Sequence, residues 1–212
     1  DADGISATAI LVDALRRFNI QVGYYIPNRF TEGYGLQKHT VQLAHEKGYR
    51  LLITVDNGVK AFDALLEAQR LGLDVIVTDH HAMEEEVPCK ILLHPFLMGY
   101  RFETLSGAGV ALTVARALKM DTKDHVVFAC VAAIADVMEL RQETRAIVQL
   151  GLQYLKEGAC MPIQLLVKER FPKWDENLIA FQVVPKLNTT GRLADMANAN
   201  NTVRYLLSGK MQ

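Results

Sequence analysis

Short apolar runs alternate with amphipathic segments through the first half of this 212-residue chain. The runs are LLITV (51–55), VIVT (75–78) and ILL (91–93), and polar residues hardly interrupt them. Strands of this kind are buried on both faces, which happens in parallel sheets that helices cover on each side. The pattern predicts an α/β fold with a doubly wound, mainly parallel sheet sandwiched by helices.

Further segments complete the predicted order of elements. VGYYI (22–26) has the composition of another strand, which Pro27 would end. The first half has helical spacing at 5–18, 36–47 and 59–71, and from Ser106 onward the pattern is helical at 109–119, 123–138, 143–157, 161–170, 174–182 and 198–208. Because no linker or repeat separates the halves, we expect one domain, with a sheet core at 1–105 and a mainly helical portion at 106–212.

Carboxylates and a double histidine follow the apolar runs, at positions where strands should end. They are Asp1 and Asp3 in DADG (1–4), Asp56 in TVDNG (54–58), Asp79-His80-His81 in TDHH (78–81), and Asp136 after VVFACVAAIA (126–135). Ligands of doubly wound sheets collect beyond the carboxyl ends of the strands. We therefore expect these side chains to gather at the rim of the core.

Acidic groups gathered in one place repel one another. Two carboxylates about 4 Å apart cost roughly 4 kcal/mol at an effective dielectric constant near 20. Taken alone, DADG could cap a helix and DNG could form a turn. Adjacent histidines and an acid after ten apolar residues are more telling, because a buried charge needs a partner. Together the motifs predict a metal site, and Asp and His ligands without cysteine suit Mn²⁺ or Mg²⁺ better than structural zinc.

The motifs DADG, TVDNG, VTDHH and AIADV, in this order, resemble those of the DHH phosphoesterase superfamily. Two more segments, IPNRFTEGYGL (26–36) and PKLNTTGRLADM (185–196), resemble the RecJ family of single-stranded-DNA-specific 5′→3′ exonucleases. The resemblance extends over nearly the whole chain. It implies the DHH catalytic fold and metal-dependent hydrolysis of phosphodiesters in DNA repair and recombination.

The resemblance also implies a centre of two divalent metal ions, with Mn²⁺ preferred or Mg²⁺. The implied ligands are Asp1, Asp3, Asp56, His80 and Asp136. Asp56 would bridge both ions and so take part in catalysis. The other implied catalytic residues are His81, which would face the scissile phosphate, and Asp79, which would orient its neighbours by hydrogen bonds.

Four residues are expected to contact the substrate. Arg29 and Arg192 would hold phosphates, for which the planar guanidinium group is suited. Tyr34, between two glycines in an expected exposed loop, would stack on a base, and Asn188 is implied as a further contact. The expected partners are single-stranded DNA, a single-strand-binding protein and a helicase.

The sequence departs from the family pattern in places. The family motif usually begins one Asp earlier, as DxDxDG, so we expect that the natural chain extends further toward its N-terminus and that one metal position is incomplete here. A second, substrate-clamping domain is also expected outside this chain, which alone would be weakly active or inactive. His94 stands where Asn is usual, Lys186 replaces an Arg, and Thr189-Thr190 replace small residues, but none of these changes removes a ligand.

Two alternative functions remain open. The chain could be another DHH phosphoesterase that acts on short oligonucleotides, cyclic dinucleotides or pyrophosphate. It could also be a non-catalytic scaffold in replication complexes, a class in which several of the acids would be lost. Here every acid expected within the fragment is present.

Charge and cysteine content place few limits on function. The formal net charge is −1, which gives no bulk sign of nucleic-acid binding but leaves local basic grooves possible. Cys89, Cys130 and Cys160 form no CxxC pattern, which is typical of reduced cysteines in a cytoplasmic protein. The apolar run 126–135 is too short to span a bilayer, and no signal peptide is visible. We expect a cytoplasmic protein without a membrane segment.

Overall fold

The computed structural model describes residues 1–28, 31–169, 171–192 and 198–208. Its sheet has three parallel strands in the order β1 (Leu51–Val55), β2 (Asp74–Thr78) and β3 (Ile91–Leu93). Val55 pairs with Thr78, and Thr78 pairs with Leu93. The three strands therefore end level with one another, and the residues that follow them lie along one edge of the sheet.

Helices cover both faces of the sheet. On one face, α2 (Lys38–Glu46) and α3 (Phe62–Arg70) pack with β2 in a small apolar cluster that includes Leu65 and Val77. On the other face, Val55 and Leu93 pack against the main core, to which α1 (Ala2–Arg17) and α5 (Gly107–Ala117) contribute. The predicted α/β class, with a mainly parallel sheet between helices, is confirmed.

The second half of the chain is helical, as expected. Its elements are α4 (Pro95–Met98), a 3₁₀ turn (Tyr100–Phe102), α5, α6 (Lys123–Ala135), α7 (Gln142–Lys156), α8 (Met161–Gln164), α9 (Glu176–Leu178), a π-helical turn (Ile179–Val183), α10 (Val184–Arg192) and α11 (Ala199–Leu207). Helix α6 is apolar on all sides and is buried from His125 to Ala133, since other helices surround it. Among the described residues, no helix is both long enough and apolar enough to cross a bilayer.

The strand expected at 22–26 does not form. These residues have no ladder partner among the described strands, so no sheet hydrogen bonds define them. Instead, the side-chain amide of Asn200 bonds Ile26 in both directions: Oδ1 accepts from the Ile26 N–H at 3.0 Å, and Nδ2 donates to the Ile26 carbonyl at 3.1 Å. The apolar composition of the segment reflects packing against the main core rather than sheet pairing.

Two of the expected helices also differ. The helix expected at 161–170 ends at Gln164, after which Leu166 and Val167 close tight turns onto Ile163 and Gln164. The helix expected at 174–182 instead continues from Glu176 to Arg192, through Pro185. Proline lacks an N–H and crowds the carbonyl four residues earlier, and the wider π-helical turn at 179–183 accommodates it.

Candidate metal centre

Asp56 occupies the first position after β1, in a backbone conformation that is unusual for a non-glycine residue. Its φ is 59°, in the left-handed region. The N-terminus of α5 approaches it so closely that a Cβ on Gly107 would lie 2.5 Å from the Asp56 Cβ and 2.9 Å from its Cα. The glycine at position 107 is therefore required by the closeness of α5 to Asp56.

Asp3 lies in the first turn of α1 and is 2% exposed. Its two carboxylate oxygens accept hydrogen bonds from the first N–H groups of α5, Gly107 at 2.8 Å and Ala108 at 2.7 Å. Burial and the nearby charge of Asp56 nevertheless raise the pKa of Asp3 to about 7. A cation beside Asp3 would stabilise the charged form of this buried carboxylate.

His80 lies at the centre of the carboxylates. Its Nε2 is 3.1 Å from Oδ1 of Asp56, 3.5 Å from Oδ2 of Asp3 and 3.5 Å from Oδ2 of Asp136. Burial alone would lower the pKa of His80, but the contact with Asp56 and the charges of Asp3 and Asp56 outweigh burial and raise it. One imidazole nitrogen thus faces three separate acids.

Asp79 is buried and holds His81 in place. Its Oδ1 accepts from the N–H groups of His80 and His81 and contacts Nδ1 of His81 at 2.7 Å, while Oδ2 accepts from the Val59 N–H. Burial would raise the pKa of Asp79, but these hydrogen bonds, that of His81 foremost, lower it overall. The bond to Asp79 raises the pKa of His81 to about 9. The His81 side chain is 56% exposed, although its Nδ1 is held by Asp79.

Asp136 reaches the site from the end of a helix, in line with the helical pattern expected at 123–138 and not from the end of a strand. It is the C-cap of α6, whose N-terminus is capped by Thr122. The C-terminus of a helix carries partial negative charge, which disfavours a carboxylate there. A cation bound near Asp136 would offset this unfavourable charge, and Nε2 of His80, 3.5 Å from Oδ2 of Asp136, could share it as a ligand.

Asp1 has a different position from the other expected ligands. It is the N-cap of α1, and its Oδ1 accepts from the Gly4 N–H at 3.1 Å. A Cβ on Gly4 would lie 3.6 Å from this oxygen and 3.1 Å from Oδ2 of Asp56. Asp1 and Asp56 therefore border the same glycine, although Asp1 does not join the tightest clusters of donor atoms.

The donor atoms fit one or more divalent ions. Among the described residues, two groups have ligand atoms within 4.8 Å of one another: Asp56 with His80 and His81, and Asp3 with His80 and Asp136. The groups share His80. Oδ1 of Asp56 is buried, and apart from the 3.1 Å ion-pair contact with Nε2 of His80 it has no hydrogen-bond partner among the described residues. Oxygen and imidazole donors with an unsatisfied carboxylate oxygen suit Mn²⁺ or Mg²⁺.

Sequence reasoning missed two supporting residues of the site. Asn57 accepts from the Leu36 N–H at 3.1 Å and donates to the Val55 carbonyl at 2.8 Å, which fixes the loop around Tyr34 beside β1. His94 is fully buried, and its Nε2 lies 2.9 Å from the His81 carbonyl. The available signal was their position, because His94 directly follows β3 and Asn57 comes next after Asp56.

The expected substrate residues are only partly described. Tyr34 is 73% exposed in the loop that Asn57 holds, and the Gln37 side chain bonds its carbonyl. Asn188 lies on α10 with a buried Oδ1 that has no donor among the described residues. Arg29 lies outside the described residues, and so does the side chain of Arg192, whose backbone ends α10.

Comparison with known proteins finds similarity to the DHH family and to RecJ exonucleases. Residues 1–140 match the model of the DHH family, N-terminal domain. The chain is 37% identical over 215 residues to the single-stranded-DNA-specific exonuclease RecJ of Bacillus subtilis (strain 168), in an alignment that covers 98% of this chain and 27% of that protein.

Two solved structures share the fold. A crystal structure of exonuclease RecJ bound to manganese superposes with a TM-score of 0.88 at 33% identity, covering 99% of this chain and 55% of that one. The structure of RecJ from Thermus thermophilus in complex with Mn²⁺ gives a TM-score of 0.82 at 31% identity, covering 98% and 31% of the two chains. The chain spans about a quarter of the length of its Bacillus relative and about half of the first of these structures.

Proposed function

The matched residues make up most of this chain, which therefore belongs to the DHH family, and we propose that it is the DHH catalytic domain of a 5′→3′ exonuclease specific for single-stranded DNA. The observation that carries the proposal is the convergence of three acids from separate elements on Nε2 of His80. RecJ relatives that are 31–33% identical are manganese-bound in their structures.

We assign two divalent ions, Mn²⁺ in preference to Mg²⁺, to Asp1, Asp3, Asp56, His80 and Asp136, with Asp56 between the two. When bound, such ions lower the pKa of a coordinated water and neutralise charge on phosphate oxygens. The protein's own part is to fix the ligands beforehand. The N-terminus of α5 holds Asp3, the turn after β1 holds Asp56, and α6 carries Asp136.

The remaining catalytic roles belong to the Asp79–His81 pair. Because Asp79 binds Nδ1 of His81, the ring is left with Nε2 as its free polar position toward the substrate. From there it would contact an oxygen of the scissile phosphate and orient it for attack. Asp79 acts on the substrate through His81 and through the loop after β1, whose Val59 N–H donates to it.

Substrate binding would use the loop after residue 26 and helix α10. Tyr34 would stack on a base, and its exposure in the loop that Asn57 holds at Leu36 supports that role. Arg29 and Arg192 would grip phosphates, and Asn188 has a buried oxygen ready for a donor from the substrate or from water. A second domain, outside this chain, would complete the channel for DNA.

Partners and location follow from the proposed substrate. A nuclease that acts on single strands needs strands that have been separated, so a helicase and a single-strand-binding protein would work with it during repair and recombination. An enzyme of DNA repair would work in the cytoplasm, beside its substrate.

The test uses the full-length protein with Mn²⁺ and oligonucleotides labelled at either end. We expect nucleotides to be released from the 5′ end of single strands, with little action on blunt duplex and none in EDTA. Asp56→Asn serves as the inactive control. Faster hydrolysis of dinucleotides, cyclic dinucleotides or pyrophosphate would identify another DHH phosphoesterase. Metal binding without hydrolysis of any of these substrates would indicate a scaffold.

A further inference from the structure

Helix α6 ends at the metal centre in a left-handed residue that is a valine. Val137 has a φ of 53° and directly follows Asp136. Its N–H donates to the Ile134 carbonyl at 3.3 Å, and the Met138 N–H donates to the Ala133 carbonyl at 2.9 Å, the bonding pattern that closes many helices. Glycine usually occupies this position, and a β-branched residue there is an outlier because its side chain crowds the backbone.

Five other helices show how this chain usually fills the same position. Glycine follows α2, α3 and α7, at Gly48, Gly72 and Gly158, where φ is 79°, 72° and 82°. Unbranched or amide side chains follow α1 and α5, at Asn19 and Lys119, where φ is 58° in each. The sequence therefore uses residues that tolerate this conformation at these ends, and it departs from them where α6 meets the metal centre.

Burial does not explain the valine either. Within the described part of the chain Val137 is 87% exposed, so its side chain removes little apolar surface from water there. Burial of its side chain therefore does not offset the free-energy cost of the left-handed backbone at Val137. Residues with such strained backbones cluster at functional sites. Its neighbour Asp136 has Oδ2 3.5 Å from His80, which places residue 137 at the rim of the site.

We infer that Val137 is a substrate-contacting residue, whose methyl groups pack against the sugar and base of the nucleotide next to the scissile phosphate. The inference rests on the proposed function. Metal ions and arginines recognise phosphate, which is the same in every nucleotide and in free phosphate. An apolar contact beside the metal centre adds recognition of the nucleoside and aligns the strand, and glycine, asparagine or lysine at this position would not supply it.

The test compares Val137→Gly with Lys119→Gly in the full-length protein. Lys119 is the matched control, because it closes α5 with the same hydrogen bonds, at the end of that helix remote from Asp56. Both changes relieve a left-handed side chain, so both should raise the midpoint temperature of unfolding. Val137→Gly should lower kcat/KM on single-stranded DNA about tenfold, the size expected for two methyl groups lost from a contact. Lys119→Gly should leave it unchanged.

Calorimetric titration with Mn²⁺ separates contact from positioning. If Val137 contacts the substrate, the Mn²⁺ affinity of Val137→Gly equals that of the wild type. Weaker Mn²⁺ binding would show that Val137 acts by placing Asp136, and a lower unfolding temperature would show that its side chain packs against another part of the protein. Either result overturns the inference, as does an unchanged kcat/KM in Val137→Gly. A wild-type protein without activity on single strands would instead refute the proposed function itself, and the inference with it.

Discussion

Gly107→Ala should damage the metal centre more than a methyl group added at any other described glycine. The new Cβ would lie 2.5 Å from Cβ, 2.8 Å from Oδ1 and 2.9 Å from Cα of Asp56. All three distances are shorter than real contacts allow, and the Cα belongs to the backbone, which cannot rotate away. Asp56 is itself held in a left-handed conformation that leaves it little freedom to adjust.

The magnitude follows from what must move. If α5 retreats from Asp56, the N–H groups of Gly107 and Ala108 leave the carboxylate of Asp3, and each hydrogen bond to a charged group contributes about 1.5–3 kcal/mol. If Asp56 moves instead, a proposed bridging ligand leaves its position. Overpacking alone costs about 1–3 kcal/mol of unfolding free energy, and a displacement of about 1 Å in a catalytic group costs about a hundredfold in rate.

The assay combines urea unfolding, Mn²⁺ titration and the rate of nucleotide release. Gly151→Ala is the matched control, because its Cβ would lie 2.3 Å from Cβ of Cys130, between α7 and α6. Both variants should lose stability, but only Gly107→Ala should lose Mn²⁺ affinity and about a hundredfold in rate per folded molecule. Wild-type Mn²⁺ affinity and rate in Gly107→Ala would refute the reasoning.

Glu143 is 7% exposed on its side chain and pairs with Arg101 and Arg116 at 2.7 and 2.6 Å. Burial would raise the pKa of Glu143, but the two arginines lower it below the ordinary value for a glutamate. The pairing therefore stabilises the fold at pH values above that ordinary pKa, and the stabilisation is lost as the pH falls through the folded pKa. Glu143→Gln should therefore reduce the unfolding free energy by about 2 kcal/mol at neutral pH, and by less as the pH falls through the folded pKa; a difference that does not shrink in acid would contradict this. Tyr34→Ala should weaken binding of the full-length protein to single strands by about 1–3 kcal/mol, while Tyr34→Phe keeps the ring and the affinity; equal loss in both would exclude stacking.

The residues at the sheet edge of the site were predictable from the sequence because each directly follows a strand that a short apolar run defines. Three short apolar runs define parallel strands, and parallel strands that end in register bring Asp56 and Asp79 to one edge. The double histidine after β2 belongs to the same edge. These residues needed only strand positions to be placed, and the family motifs gave the same set.

The helical side of the site was less predictable, since its contacts join distant parts of the chain. The bonds from α5 to Asp3 connect residues more than a hundred positions apart, and no periodicity in the sequence reports them. Likewise, Asn200 replaces strand pairing for Ile26 across 174 positions. Asp136 was expected where a strand ends, although the helical pattern at 123–138 already included it, and the structure places it at the C-terminus of the buried helix α6.

The most direct test of the central claim is anomalous scattering from crystals of the full-length protein soaked in Mn²⁺. We expect two manganese ions, both in contact with Asp56, with Asp3, His80 and Asp136 among their other ligands. The same soak of Asp56→Ala should show neither ion. Manganese absent from these residues in the wild type, or two ions retained in Asp56→Ala, would contradict the proposed centre.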